Sequence, residues 1–327
     1  MSNLTGILNK REEDPIAMRD AYCDALIGLA EKDKRVLAIE TDVSNSMGTV
    51  RFARKFPERS IQCGIQEANA VSMASGLAMM GFVPFFHTFG VFATRRVFDQ
   101  VFLSCGYARA GIKIIGGDSG VTAAQNGGTH MPLEDMALMR SIPDAIVIEP
   151  ADTVSIRALV PQIAQTDVVC YMRSCRKKVY RIYEDGARFK IGTANVLREG
   201  TDASVFACGI MLHQALLAAE MLEKEGVSIR VVDFFTIKPL DGDCVYDSAV
   251  KTGAIVTAEN HSVSGALGSA VAEFISENIP VPLERIGVRD SYGEVGDIPW
   301  LMKRFYLTAD DISNAVRRVI ARKKGTI

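Results

Sequence analysis

The sequence predicts an α/β protein made of two doubly wound units with mainly parallel sheets. Three observations predict it. Short apolar runs alternate with longer amphipathic stretches, the β-α alternation of a parallel sheet covered on both faces. Residues 68–94 carry no formal charge and are long enough to cross a bilayer. Gly76, Gly81, Pro84, His87 and Gly90 nevertheless cut that run into pieces, so it reads as a buried helix, a buried strand and a loop. Finally, the alternation breaks over the charged stretch 174–200 and then resumes, which divides the chain into units 1–188 and 189–327.

The elements follow in order. Residues 16–31 read as a helix and 35–40 (RVLAIE) as a strand. A helix over 67–80 leads to a strand at 82–86, and a helix over 95–108 to a strand at 111–116 (GIKIIG). Helix 132–140 precedes strand 145–149, and helix 152–165 precedes strand 168–172. A small hairpin is expected around 179–189. The second unit begins with strand 203–208 (ASVFAC) and helix 211–224. Strands at 228–234 and 254–259, a helix over 265–278, a strand at 283–288 and a helix over 309–323 complete it. Short apolar runs are read as strands and longer mixed stretches as helices.

Charge excludes some functions. Lysine and arginine number 37 against 39 acids, a formal charge of −2. A nucleic-acid binder usually shows a basic surplus, so none is expected. The seven cysteines lack C-x-x-C pairs, which points to reduced thiols in the cytoplasm rather than a disulfide scaffold or zinc site. The N-terminus has no apolar signal region, and no membrane association is expected. The four histidines, His87, His130, His213 and His261, have no metal-ligand spacing, so no protein-built metal site is expected.

Four constellations could carry chemistry. Glu67 starts a helix whose following turns are apolar; it either favours the helix dipole or occupies a dry pocket with a task. His87, Phe89 and Phe92 follow the strand FVPFF, where ligands of open α/β sheets bind, although both phenylalanines could equally be core. Gly116-Gly117-Asp118-Ser119-Gly120 ends a strand and runs to a polar cluster around His130, but it is neither a Walker loop nor a dinucleotide fingerprint. Of the basic residues beyond strand 168–172, Arg173 lies nearest the strand end and reads as the anion ligand; Arg176, Lys177 and Lys178 read as a solvated loop. The Gly265-x-x-Gly268 turn could hold an anion at a helix N-terminus, or could simply permit close packing.

Together these pieces resemble the transketolase and deoxyxylulose-phosphate synthase family. GIQEANAVSMASGLAMMG is similar to its glutamate motif and HTFGVF to its pyrimidine-stacking loop. GGDSGVTAAQNGGTHMPLEDMALMRSIPDAIVIEPAD resembles its substrate loop and helix, and FACGIMLHQALLAAEMLEKEGVSIRVVDFFTIKPLD its C-terminal domain. AMRDAY and TDVSNSMGT match earlier pieces of the same module. The resemblance spans about 14–320. It implies a thiamine-diphosphate-enzyme pyrimidine domain over 1–188 and a transketolase C-terminal domain over 189–327. The diphosphate-gripping G-D-G signature is not found, so thiamine diphosphate and Mg²⁺ are expected to need a second, N-terminal subunit in an α₂β₂ assembly.

The resemblance implies roles residue by residue. Glu67 matches the carboxylate that bonds the aminopyrimidine, Phe89 and Phe92 the stacking aromatics, and Asp42 an acid near the thiazolium. His130 matches a histidine that contacts sugar oxygens and assists proton transfer. Arg19, Ser46 and Arg173 match positions that hold a sugar phosphate. Asn126 and Gly117 stand where many family members have aspartate and histidine, which makes an altered sugar preference an expectation. The implied activity is transfer of a two-carbon ketol unit between sugar phosphates. The alternatives are the β subunit of a 2-oxoacid dehydrogenase, a split deoxyxylulose-phosphate synthase, or a non-catalytic regulatory or scaffold subunit.

Overall fold

The computed structural model describes residues 6–8 and 10–325. The first unit supplies β1 (Val36–Glu40), β2 (Ser60–Gln62), β3 (Val83–Phe89), β4 (Lys113–Gly117), β5 (Ile146–Ile148) and β6 (Cys170–Ser174). The second supplies β7 (Asn195–Arg198), β8 (Ala203–Ala207), β9 (Ile229–Asp233), β10 (Thr236–Lys238), β11 (Ile255–Ser262) and β12 (Leu283–Val288). One sheet has the order β10-β5-β6-β4-β3-β1-β2, the other β12-β11-β8-β9-β7. All pairings are parallel except those of β10 with β5 and of β7 with β9. The expected class, two mainly parallel α/β sheets, is the one observed.

The central strands were readable because they are covered on both faces. Every residue of β1, β4, β5, β6, β8 and β9 is buried. Such strands read as continuous apolar runs rather than alternating ones. Helix starts are fixed by local chemistry. Asp152 caps Thr153–Ala164, accepting from the backbone N–H groups of Val154 and Ser155. Its other oxygen accepts from the N–H groups of Ile182 and Tyr183, which ties down the chain beyond β6.

Four features differ from expectation. No hairpin forms around 179–189; instead Tyr183 and Tyr180 form antiparallel bridges with Ile7 and Glu13, so an N-terminal arm supplies the partner. Residues 95–108 are not one α-helix but a 3₁₀ turn, a short α turn and a π-helix, Val101–Tyr107. A helix at Gly242–Thr252 lies between β10 and β11, capped by Asp241. Finally, β10 leaves its own unit and pairs with β5 of the other. Buried Val147 and Tyr171 of the first unit share an apolar cluster with Phe206, Val232, Phe234 and Ile237 of the second. Among the described residues no helix is long and apolar enough to cross a membrane.

Candidate active site

β6, β4, β3 and β1 run side by side and parallel, so their carboxyl ends open on one edge of the sheet. Ligands of open α/β sheets bind at that edge. The segments leaving these ends carry the candidate residues: 41–48 after β1, 89–96 after β3, 117–130 after β4 and 175–176 after β6. Glu67 arrives from the turn after β2, as the first residue of the helix Glu67–Met79.

The side chains form a chain of contacts. Glu67, only 3% exposed, accepts a 2.8 Å hydrogen bond from Nη1 of Arg96. The Arg96 guanidinium lies 3.8 Å from the centroid of the Phe92 ring. Phe92, Phe89 and His130 pack together, with ring centroids 5.3–6.2 Å apart. His130 is steered by its neighbour, its Nδ1 lying 3.0 Å from the Thr129 hydroxyl. Arg176 lies over the other aromatic ring, 4.8 Å from the Phe89 centroid. Buried Asp118 then joins two elements: one oxygen accepts from Nε of Arg176 at 2.5 Å, the other from the side-chain amide of Asn126 at 3.1 Å. Stacked guanidinium groups are attracted to aromatic faces, so both arginines are held where the aromatic wall begins and ends.

A second patch adjoins this one. Arg19 donates through Nη1 to the backbone carbonyl of Ser46 at 3.1 Å. Asp42 is exposed and takes a left-handed φ of 63°, a conformation aspartate tolerates. The patches meet at Met47. A Cβ added to Gly117 would come 2.6 Å from the Met47 sulfur and 3.5 Å from Cγ of Arg176. The space a side chain at 117 would need is therefore filled by methionine.

Arg173 does not join the cluster. It is fully buried, with Nε on Asp135 at 2.7 Å, Nη1 on Glu149 at 2.9 Å and Nη2 on the Pro132 carbonyl at 2.7 Å. Burial thus overturns the expectation of Arg173 as anion ligand, and Arg176, paired with Asp118 and lying over Phe89, is not the solvated loop residue expected. Nor is the Gly265-x-x-Gly268 turn open to a ligand: the N–H groups of Leu267 and Gly268 donate to the buried Glu259 carboxylate. His87 sits behind the site rather than in it, with Nε2 2.6 Å from the Tyr22 hydroxyl and Nδ1 3.0 Å from Glu40. Arg95 pairs with Glu134 at 2.7 Å. Sequence reasoning missed Arg96 and named Asp118 only within the glycine-rich loop, without a role of its own. The only signal for either was position, Arg96 four residues past Phe92 and Asp118 directly at a strand end.

Two mainly parallel α/β sheets, with candidate residues gathered at the carboxyl edge of the first, define an α/β enzyme module, and the chain belongs to the transketolase family. Residues 14–181 match the transketolase pyrimidine binding domain and 192–312 the transketolase C-terminal domain. It is similar to the 6-deoxy-6-sulfo-D-fructose transketolase subunit SqwH of Clostridium sp. (strain MSTE9), 48% identical over 94% of this chain and 95% of that one. The transketolase of Homo sapiens is 37% identical over 94% of this chain but only 50% of its own length. A solved split-gene transketolase, described as an inactive β₄ tetramer, superposes with a TM-score of 0.88 at 40% identity, covering 95% of this chain and all of the other. The chain is therefore a subunit of a split-type transketolase, spanning about half the length of the single-chain human enzyme. The 2-oxoacid dehydrogenase, synthase and scaffold readings are not favoured by these matches.

Proposed function

We propose that this chain is the pyrimidine-and-sugar half of a two-chain transketolase that moves a two-carbon ketol unit from a ketose to an aldose. The observation that supports it best is the unbroken contact chain from Glu67 through Arg96, Phe92, His130, Phe89 and Arg176 to Asp118 and Asn126. It sets a buried carboxylate, an aromatic wall, a histidine and a cation along one sheet edge, the groups that a flat aminopyrimidine and a polyhydroxylated anion need.

The residues fit thiamine diphosphate. Glu67 would be the buried acceptor for a ring nitrogen, Phe89 and Phe92 would offer the apolar ring wall, and Asp42, exposed just beyond β1, would be the acid serving the thiazolium. When bound, that cofactor supplies the stabilised carbanion that the ketol transfer requires. The protein's own task is orientation and proton handling. His130, held by Thr129, is placed to hold and move a proton at a sugar hydroxyl. Asn126, fixed by Asp118, presents an amide to the sugar. Arg19, Ser46 and Arg176 are the anion-facing set, with Arg176 replacing Arg173. No cluster of three metal-ligating side chains occurs among the described residues, and we assign Mg²⁺ and the diphosphate to an N-terminal partner subunit in an α₂β₂ assembly. We place the division between domains at 188/189 and the enzyme in the cytoplasm, in carbohydrate metabolism of the pentose-phosphate kind.

The relative named for a sulfonated fructose widens the substrate class. Phosphate and sulfonate are both tetrahedral oxyanions that a guanidinium fork can grip. The test is ketol transfer by the chain plus its partner, with Mg²⁺ and thiamine diphosphate, from xylulose 5-phosphate and, separately, from a 6-sulfonated ketose. Glu67→Ala should lose activity by about 100- to 10,000-fold with unchanged circular dichroism. Retained turnover in that variant would refute the reading.

A further inference from the structure

We infer that Arg96 is a latch on the cofactor site, a planar cation that holds Glu67 and Phe92 and has to be displaced before an aminopyrimidine ring can use them. The inference rests on the function proposed above, which assigns those two residues to the ring.

The local chain sets the arginine in place. A short α turn, Gly90–Ala93, is closed by Thr94, whose hydroxyl donates to the Gly90 carbonyl at 2.7 Å, and Arg95–Val97 follows as a 3₁₀ turn. The two arginines of that turn part: Arg95 pairs with Glu134 and Arg96 with Glu67. Arg96 stands four residues past Phe92, and side chains at that spacing meet on one face of helical backbone. Its guanidinium therefore lies over the Phe92 ring, 3.8 Å from the centroid, while Nη1 donates to Glu67 at 2.8 Å.

One group thus makes both contacts that the ring would make. A ring nitrogen bonded to Glu67 has to lie about 3 Å from that carboxylate. The part of Phe92 within reach of such a ring is the part the guanidinium already covers. The two groups are also alike in kind, flat, delocalised and edged with N–H donors. They compete for one place.

Burial says which of the pair can leave. The Glu67 side chain is 3% exposed and, among the described residues, pairs with no other cation. The Arg96 side chain is 43% exposed, so its charge can swing into water while its stem stays on the surface. A buried carboxylate stripped of its counter-charge is costly. The latch keeps Glu67 paired until a ring donor takes over the same oxygen.

The test is calorimetric titration of the chain, in complex with its N-terminal partner and Mg²⁺, with thiamine diphosphate as the probe. Arg96→Ala should bind it about tenfold more tightly than wild type, the combined worth of a stacked cation and a partly exposed ion pair. Arg96→Lys, which keeps the charge but loses the flat fork, should bind about threefold more tightly. Without cofactor Arg96→Ala should melt below wild type, and saturating cofactor should raise its melting temperature by more than that of wild type. Arg95→Ala should leave the affinity unchanged. Equal or weaker binding by Arg96→Ala overturns the latch while leaving Glu67 as the ring's acceptor; should that variant fail to fold, Arg96→Lys decides by the same criterion. An equal gain in Arg95→Ala would trace the effect to a loosened turn and overturn the latch as well. No binding by wild type, or binding that Glu67→Ala does not weaken, overturns the reading of the site itself and the latch with it.

Discussion

Two arginines three residues apart show what one side chain can and cannot reveal. Arg173 and Arg176 look alike in the sequence, and proximity to the strand end favours the first. Their fates are decided by residues far away in the chain: Asp135 and Glu149 for Arg173, Asp118 and Phe89 for Arg176. The consequences separate cleanly. Arg173→Ala leaves two buried carboxylates without their counter-charge, so we expect a loss of about 3–5 kcal/mol in denaturant titration. Arg176→Ala removes a cation whose side chain is only 17% exposed and which pairs with buried Asp118. It should raise KM for the anionic sugar by about 10- to 100-fold, the worth of a hydrogen bond to a charged group, with kcat little changed and a smaller stability loss than Arg173→Ala, since it uncovers one buried carboxylate and not two. An unaltered KM for Arg176→Ala, whatever its stability, would remove Arg176 from the anion-facing set. Glu67, Phe89, Phe92 and His130 were legible because each belongs to a motif whose neighbours follow in chain order. Arg96 and Asp118 were not, because their meaning lies in contacts that span 29 and 58 residues.

At the scale of elements, strands buried on both faces were legible, three-residue β5 included, and the borrowed β10 was not. β10 has three residues, too few to show a period of two, and its partner lies in the other unit. The helix Leu267–Asn278 makes the same point at its start. Its glycine turn left an anion site or close packing open, and the group found there is the chain's own Glu259 at 2.8 and 3.0 Å. Burial, only partly offset by these N–H donors, pushes the Glu259 carboxyl up to about 7. A carboxyl whose folded value exceeds its unfolded value favours the protonated native state. Its contribution is therefore complete below the ordinary carboxyl value of 4.5 and is lost as pH rises through about 7. Between those limits the loss amounts to about 3 kcal/mol. Glu259→Gln should flatten that part of the stability–pH curve, measured by urea titration at successive pH values. A curve parallel to wild type would show that the N–H donors keep Glu259 ionised throughout.

The whole molecule is less divisible than its two family matches suggest. Those matches end at 181 and begin at 192, yet the boundary they imply is crossed twice over. β10 closes the edge of the first sheet, and Phe206, Val232, Phe234 and Ile237 share one apolar cluster with Val147 and Tyr171. Polar contacts cross as well: Nε2 of buried His261 lies 3.4 Å from the Ala137 N–H, and Asn260 bonds Val121 and Ser119, at the start of the loop that leads to Asn126 and His130. The second unit thus holds the floor of the candidate site, which gives a domain with no assigned catalytic group a positioning role. Cutting the chain at 188/189 would leave β5 as an unpaired edge beside exposed apolar side chains, a template for aggregation. We therefore expect the full chain to unfold in one calorimetric transition whose van't Hoff and calorimetric enthalpies agree. A fragment 1–188 should be recovered soluble only when 189–327 is supplied with it. Two separated transitions, the first of which leaves the fragment folded and monomeric, would mean that the shared strand and core contribute little and that the units stand independently.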